Sequence, residues 1–331
     1  MSRKNRAQQP PAQETAAPLR EYPLSAGALL LVAAVVLLYG RTILFDQLVF
    51  DDPLNITRNP YISSGLTMEG VRVALFQGMN EFWFPVTSLS HMLEVSLFGI
   101  NPHVFHATNV LLHALNSVLV LLVFRALAGG FWPAAIAAAL FAIHPLSAEP
   151  AAWISGRRDL LCATFWLLTV WAYLRHGRAP SIARMGVVLL CFVLGMASKV
   201  NMIALLPIFF LLDWQPLGRL EPSPAGIRRA WPLLLEKIPL FLLGPWLTTL
   251  TTKLQAQEFG AATEQVSFTI RLMNAVYIYA FHLVKAVFPL GLSVHYPYLP
   301  QGPGASWFAA ALLLLIAITA LCFWQARRMP L

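Results

Sequence analysis

Asp51 and Asp52, followed at once by Pro53, are the first residues in the chain whose types and spacing could do chemistry. Adjacent carboxylates serve as a general base or as ligands for a hard divalent cation. An aspartate before proline is also a common solvated turn. A second group lies in HPLSAEPAAWISGRRD, which holds His144, Glu149, Arg157, Arg158 and Asp159. Guanidinium groups pair well with phosphate oxygens. The same arginines suit ion pairs with Asp159 or Glu149. Lys199, close to Asn201, is a third candidate, although a lysine at a helix end also snorkels toward water. His106, Asn109, His113 and Asn116 recur at i, i+3, i+7 and i+10 and so share one helical face. No carboxylate joins the two histidines on that face, so hydrogen bonding between helices is a better reading than metal. His91 and Glu94, three apart, are a weaker pair of the same kind.

The elements that carry these groups follow from composition. The chain has 331 residues, of which 58% are hydrophobic and only 11% charged. Soluble proteins average about 25% charged. A disordered chain, a secreted disulfide scaffold and an ordinary cytosolic enzyme are excluded, and an all-α, multi-spanning membrane protein is indicated. Cys162, Cys191 and Cys322 lie in apolar runs without CxxC spacing, which gives neither a disulfide framework nor a zinc site. The net charge of +8 comes from basic residues clustered between apolar runs, the cytoplasmic bias of membrane proteins. No basic patch interleaved with aromatics, no P-loop and no GxGxxG pattern is present, so nucleic acid is not an expected partner. A transporter fits the composition, but no inverted repeat is evident.

The order of the chain then sets a topology. Residues 1–24 are polar and carry four prolines, which predicts a disordered cytoplasmic tail. Residues 25–44 form a first span of about 20 residues, enough for a hydrocarbon core of roughly 30 Å. Residues 45–103 form a long loop on the opposite side, with short helices near 68–77 and 85–97. Further apolar runs near 104–124, 131–146, 155–174, 184–198, 201–213, 232–250, 270–289 and 306–324 predict eight or nine spans in all. The arginine-rich loops at 175–184 and 219–229 belong in the cytoplasm, which puts residues 144–150 and Lys199 outside. The run at 270–289 carries Arg271, Asn274, His282 and Lys285, and is equally suited to lying on the outer surface.

Six segments in order resemble the membrane half of the TMTC-type proteins, which belong to the GT-C glycosyltransferases. They are FDDPLNITRNPYI, WFPVTSLSHMLEVSLFGINPHVFHATNVLLHALN, HPLSAEPAAWISGRRDLL, LGMASKVNMIALLPIFFLLDWQPLGR, EKIPLF and NAVYIYAFHLVKAVFPLGLSVHYPY. The resemblance runs from about residue 47 to 331. It implies a GT-C-like helical bundle over residues 25–331 with its catalytic loop at 45–103. It also implies an enzyme that moves a sugar, mannose in the animal members, from a polyprenyl-phosphate donor to a hydroxyl on the outer membrane face, with inversion. Protein Ser/Thr is the implied acceptor, with a lipid or glycan as the alternative. A catalytically silent membrane scaffold is the rival outside the enzyme class. The acidic pair of the class falls on Asp51, as base, and Asp52, which would orient the acceptor or a divalent ion such as Mg or Mn. Arg157, Arg158 and Lys199 would meet the donor phosphate, with His91, His144 and Glu149 in support. The implied location is a bacterial inner membrane, or the endoplasmic reticulum in a eukaryote.

Three positions depart from the family pattern. Ser147 stands where a second histidine is common, Phe84 where bacterial relatives often have His, and Val200 where Pro or Glu often follows the lysine. Relatives continue beyond residue 331 into further spans and often tetratricopeptide repeats. No 34-residue repeat is present here, so a truncated or compact member is expected.

Overall fold

The computed structural model describes residues 23–328, except 80–82, 222, 224, 225, 227, 229, 264, 265, 294, 295 and 297. The tail expected over residues 1–24 lies outside the described residues, save its last two. Twelve α-helices of five residues or more organise the described residues, among which there is no strand. They are α1 (Leu24–Tyr39), α2 (Met68–Phe76), α3 (Pro85–Phe98), α4 (Pro102–Ala128), α5 (Phe131–Ile143) and α6 (Ala148–Ala152). Then come α7 (Arg157–Arg178), α8 (Ile182–Met196), α9 (Leu205–Trp214), α10 (Trp231–Thr263), α11 (Phe268–Val287) and α12 (Ala305–Arg328). Short helical turns fill several of the joints.

Among the described residues five helical segments are long and apolar enough to cross a membrane: Leu24–Leu44, Pro102–Ala128, Trp231–Leu254, Phe268–Val287 and Ala305–Gln325. A sixth forms if the pair Phe131–Ile143 and Pro145–Ala152, bent by 53°, counts as one. The runs at 184–198 and 201–213 become the shorter apolar helices Ile182–Met196 and Val200–Trp214. At 1.5 Å per residue, a 15-residue helix covers about 22 Å, less than a full hydrocarbon core. Helix α7 is longer but carries charge at both ends.

Helix α4 is the mast of the bundle. Pro102 opens it, the Asn101 side chain accepts the His103 N–H, and Gly129 closes it with φ of 69°, a left-handed conformation that glycine adopts freely. One face of α4 packs on α1 and α5, where Ala134, Ala138 and Ala142 lie fully buried at helical spacing. Small side chains at i, i+4 and i+8 let two backbones approach closely. Another face of α4 meets α7, which also packs on α8. The expected polar stripe faces inward: His106, Asn109, His113 and Asn116 are each 1% exposed or less.

The long first loop has a core of its own. Ile56, Ile62, Val73, Met92 and Val95 pack with Phe105 of α4 and Ile154 of the joint before α7. The two helices predicted within it are α2 and α3. Backbone joins α3 to the end of α8, through Val86 N–H to Ala197 O at 3.1 Å. The loop is therefore a lid seated on one end of the bundle, and it carries the acidic pair with it.

Candidate functional site

Asp52 is the buried anchor of that end. Its side chain is wholly inaccessible, and both oxygens are held. Oδ1 accepts the Ser155 N–H at 3.0 Å and the Ser155 hydroxyl at 2.6 Å, while Oδ2 accepts the Leu48 N–H at 2.9 Å. Asn55 Nδ2 donates to the Ser155 hydroxyl at 3.2 Å, which extends the chain of bonds. Asp51, next to this fixed residue, stays half-buried. One carboxylate locks the turn to the joint before α7, and the other is left reachable.

The two arginines divide in the same way. Arg157, the first residue of α7, is fully buried. Its Nε donates to Asn109 Oδ1 at 2.6 Å, one terminal nitrogen to Glu94 Oε2 at 2.7 Å, and the other to the Phe105 carbonyl at 2.8 Å. It clamps α3, α4 and α7 together. A guanidinium so enclosed has no face for a lipid phosphate, and its carboxylate partner is Glu94, not Asp159 or Glu149. Arg158 lies instead 6.0 Å over the Phe84 ring and 5.9 Å over Trp153. Its Nε has no hydrogen-bond partner and sits 3.8 Å from Asp159. Phe84, the departure noted above, therefore supplies a cation–π face to this arginine.

Arg158, Ser155, Asn55, Asn59, Phe84 and His91 line one cavity. His91 is buried against the Phe105 ring, with Nδ1 3.6 Å from Glu94. Burial, and then the Arg157 charge, push its pKa down to about 4. Burial alone would raise the Glu94 pKa, but His91 and Arg157 outweigh it and hold the carboxyl below its ordinary value. The neutral imidazole, the carboxylate and the buried guanidinium form one supporting unit.

Lys199 pairs with Asp159 at 2.5 Å. Both border a groove of about 440 Å³ whose apolar walls include Phe124, Phe141, Trp166 and Leu167. Glu149 is exposed and lines two further cavities, one beside Leu48 and Trp153, the other beside α11. His144 Nε2 lies 3.0 Å from the Ala286 carbonyl, so it donates there, and its Nδ1 accepts the Leu146 N–H. It ties the end of α11 to the bend between α5 and α6.

A divalent cation needs several oxygen ligands in near-octahedral order if it is Mg²⁺. Among the described residues no three His, Cys, Asp or Glu side chains converge to hold an ion, and the Asp52 oxygens already meet three donors. That donor set does not fit a metal.

The inward stripe of α4 is spent on helix contacts, as its spacing suggested. Asn109 donates to the Trp153 carbonyl at 2.7 Å, and Asn116 to the Leu160 carbonyl at 2.9 Å. His113 lies 3.0 Å from the Ala142 carbonyl, and His106 3.3 Å from that of Asp46. Ser155 is not singled out by type or spacing, since a serine after a Trp-Ile pair gives no chemical signal.

Residues 85–222 match the family described as dolichyl-phosphate-mannose-protein mannosyltransferase. Over 166 residues the chain is 35% identical to mouse protein O-mannosyl-transferase TMTC1, a stretch covering 45% of this chain and 17% of the mouse protein. It is 36% identical over 138 residues to Drosophila melanogaster protein O-mannosyl-transferase Tmtc2, covering 39% and 15%. The mouse TMTC4 protein is 34% identical over 167 residues, covering 44% and 22%. Over this stretch the chain is similar to the TMTC-type proteins. It spans less than a quarter of the length of these relatives. No solved structure matches it. The matched region 85–222 holds His91, His144, Glu149, Arg158 and Lys199, while the Asp51–Asp52 pair lies ahead of it.

Proposed function

We propose that this protein transfers mannose from a polyprenyl-phosphate donor to a Ser or Thr hydroxyl of a polypeptide, on the outer membrane face and with inversion. The observation that carries the reading is the division of labour at one end of the bundle. Ser155 holds the buried Asp52 and also lines the cavity into which Arg158 faces. A reachable carboxylate and an incompletely bonded guanidinium are thus fixed to the same joint.

The Asp51 carboxylate takes the proton of the acceptor hydroxyl as its oxygen attacks the anomeric carbon. The new C–O bond forms on the face opposite the phosphate, the bond to the phosphate oxygen breaks, and the electron pair leaves with it. The transition state is oxocarbenium-like. Arg158 and Lys199 balance the charge that grows on the leaving phosphate. The apolar groove beside Lys199 suits the prenyl chain of the donor. Asp52 positions Asp51, and Arg157 positions Arg158 by fixing the start of α7.

The test is sugar transfer in proteoliposomes with polyprenyl-phosphate mannose and a Ser/Thr-rich peptide. Transfer by the wild type and a loss of about 10²–10⁴-fold in Asp51→Asn, the usual worth of a positioned base, are expected. Undiminished transfer by Asp51→Asn removes Asp51 as the base. No transfer by folded wild type to peptide, lipid or glycan leaves a membrane scaffold as the better account.

A further inference from the structure

We propose that the cavity between the α5–α6 bend and α11 is the acceptor subsite, and that it takes an extended polypeptide segment. The inference rests on the transferase reading and gives it a second half. The cavity is about 620 Å³, and its lining includes Glu149, Phe281, His282, Lys285, Leu292 and Tyr296.

Its floor is built. The rings of Phe281, His282 and Tyr296 pack mutually, with centroids 5.7, 4.9 and 6.4 Å apart. Lys285 Nζ lies 5.3 Å over the Phe281 ring and donates to the carbonyls of Leu290 and Gly291, which fixes the turn after α11. The His144 bond to the Ala286 carbonyl ties together the two elements that flank it. None of these residues is needed to hold Asp52 or Arg157.

Glu149 joins the lining of this cavity to that of a second one on the side of the acidic pair. That carboxylate also lines the neighbouring cavity beside Leu48, whose N–H holds Asp52 Oδ2. The other Asp52 oxygen is held by Ser155, which lines the cavity of Arg158. The acidic turn is therefore gripped from two cavities. An inverting displacement needs that arrangement, because nucleophile and leaving group must approach the anomeric carbon from opposite faces. The phosphate belongs with Arg158, which leaves the Glu149 side for the acceptor.

The lining chooses the class of acceptor. A glycan needs many polar side chains around its hydroxyls. Here Lys285, His282 Nδ1 and the Tyr296 hydroxyl are already engaged with backbone, and Glu149 faces a ring platform and Leu292. An extended peptide suits this better: its alternate side chains stack on the rings, and its hydroxyl-bearing residue points toward Glu149 and the acidic turn.

The test uses the full chain in proteoliposomes, with Tyr296→Ala and Lys285→Met, and both kinetics and direct binding of a fluorescent Thr-containing peptide. The peptide KM is expected to rise at least tenfold in each variant, with the donor KM changed less than twofold and peptide binding weakened in parallel. Wild-type transfer with an unchanged peptide KM in both variants overturns the subsite and leaves the transferase reading standing. So does a KM change confined to a glycan acceptor. Peptide binding that both variants weaken, in a wild type that transfers nothing, overturns the transferase reading and supports the peptide site. Neither binding nor transfer overturns both.

Discussion

The two ends of α7 hold charge in opposite ways. At its C-terminal end, Tyr173 and His176 join Asp213, Arg219, Glu236 and Lys237 in a closed network. Asp213 is wholly buried and meets Lys237 at 2.5 Å, Arg219 at 3.1 Å and the Tyr173 hydroxyl at 2.9 Å. Glu236 meets Arg219 at 2.7 Å and His176 at 3.4 Å. Two acids are matched by two bases. At the N-terminal end, some 30 Å away by helix rise, Asp51, Asp52, Glu94, Glu149 and Asp159 outnumber Arg157, Arg158 and Lys199. There Asp52 and Arg157 are buried and held on every side, and their neighbours in sequence, Asp51 and Arg158, are not. A closed network fastens helices; an end with charge left over has groups to spare for a ligand. That contrast separates structural from chemical use of the same residue types within one bundle.

The largest test of the contrast is Arg157→Met. It strands Glu94 and Asn109 in the interior, and breaking a buried pair in this way costs about 3–5 kcal/mol. Thermal unfolding in detergent should show a large drop or no folded protein. Lys237→Met breaks the closed network, but Asp213 keeps Arg219 and Tyr173, so its cost should fall near the bottom of that range of roughly 3–5 kcal/mol. Its donor KM should match wild type. A donor KM that moves with Lys237→Met would join the two ends and defeat the comparison.

The pH dependence sharpens it next. His91 binds a proton near 6.5 when unfolded and only near 4 when folded. Between those values the unfolded chain holds more protons, so stability falls as pH is lowered from about 6.5 to 4, by at most roughly 3 kcal/mol. Glu94, also held below its ordinary value, adds to the loss below about pH 4.5. His91→Gln should flatten the upper part of this profile; a variant with the wild-type slope would show that His91 does not carry it. The smallest stability effect belongs to Arg158→Met. Its unfolding free energy should stay within about 1 kcal/mol of wild type, because a half-buried charge that is only loosely paired contributes little. Its donor KM should rise about tenfold, which equals about 1.4 kcal/mol of binding. An unchanged donor KM would remove Arg158 from the phosphate site.

Much of the scaffold was legible from residues alone. Apolar runs marked the helices, and the i, i+3, i+7, i+10 spacing marked the buried face of α4, because a helix repeats every 3.6 residues whatever packs against it. The two short helices of the first loop were equally legible from their local pattern. The acidic pair and the GRRD arginines stood out by type. Which aspartate is buried was not legible, since Asp51 and Asp52 differ only by one position along a turn. The same holds for Arg157 and Arg158: a step of one residue on a helix turns a side chain by about 100°, from the α3–α4 junction to the cavity.

The sequence by itself determined an all-α membrane chain, the inward face of its central helix and the presence of two charged pairs, because these depend on composition and local periodicity. Only the tertiary structure decided the partners. Ser155 reaches Asp52 across 103 positions, Arg157 reaches Glu94 across 63, and Asp213 meets its lysine 24 residues on. Such contacts arise from how helices pack, and desolvation then makes each buried charge require its partner.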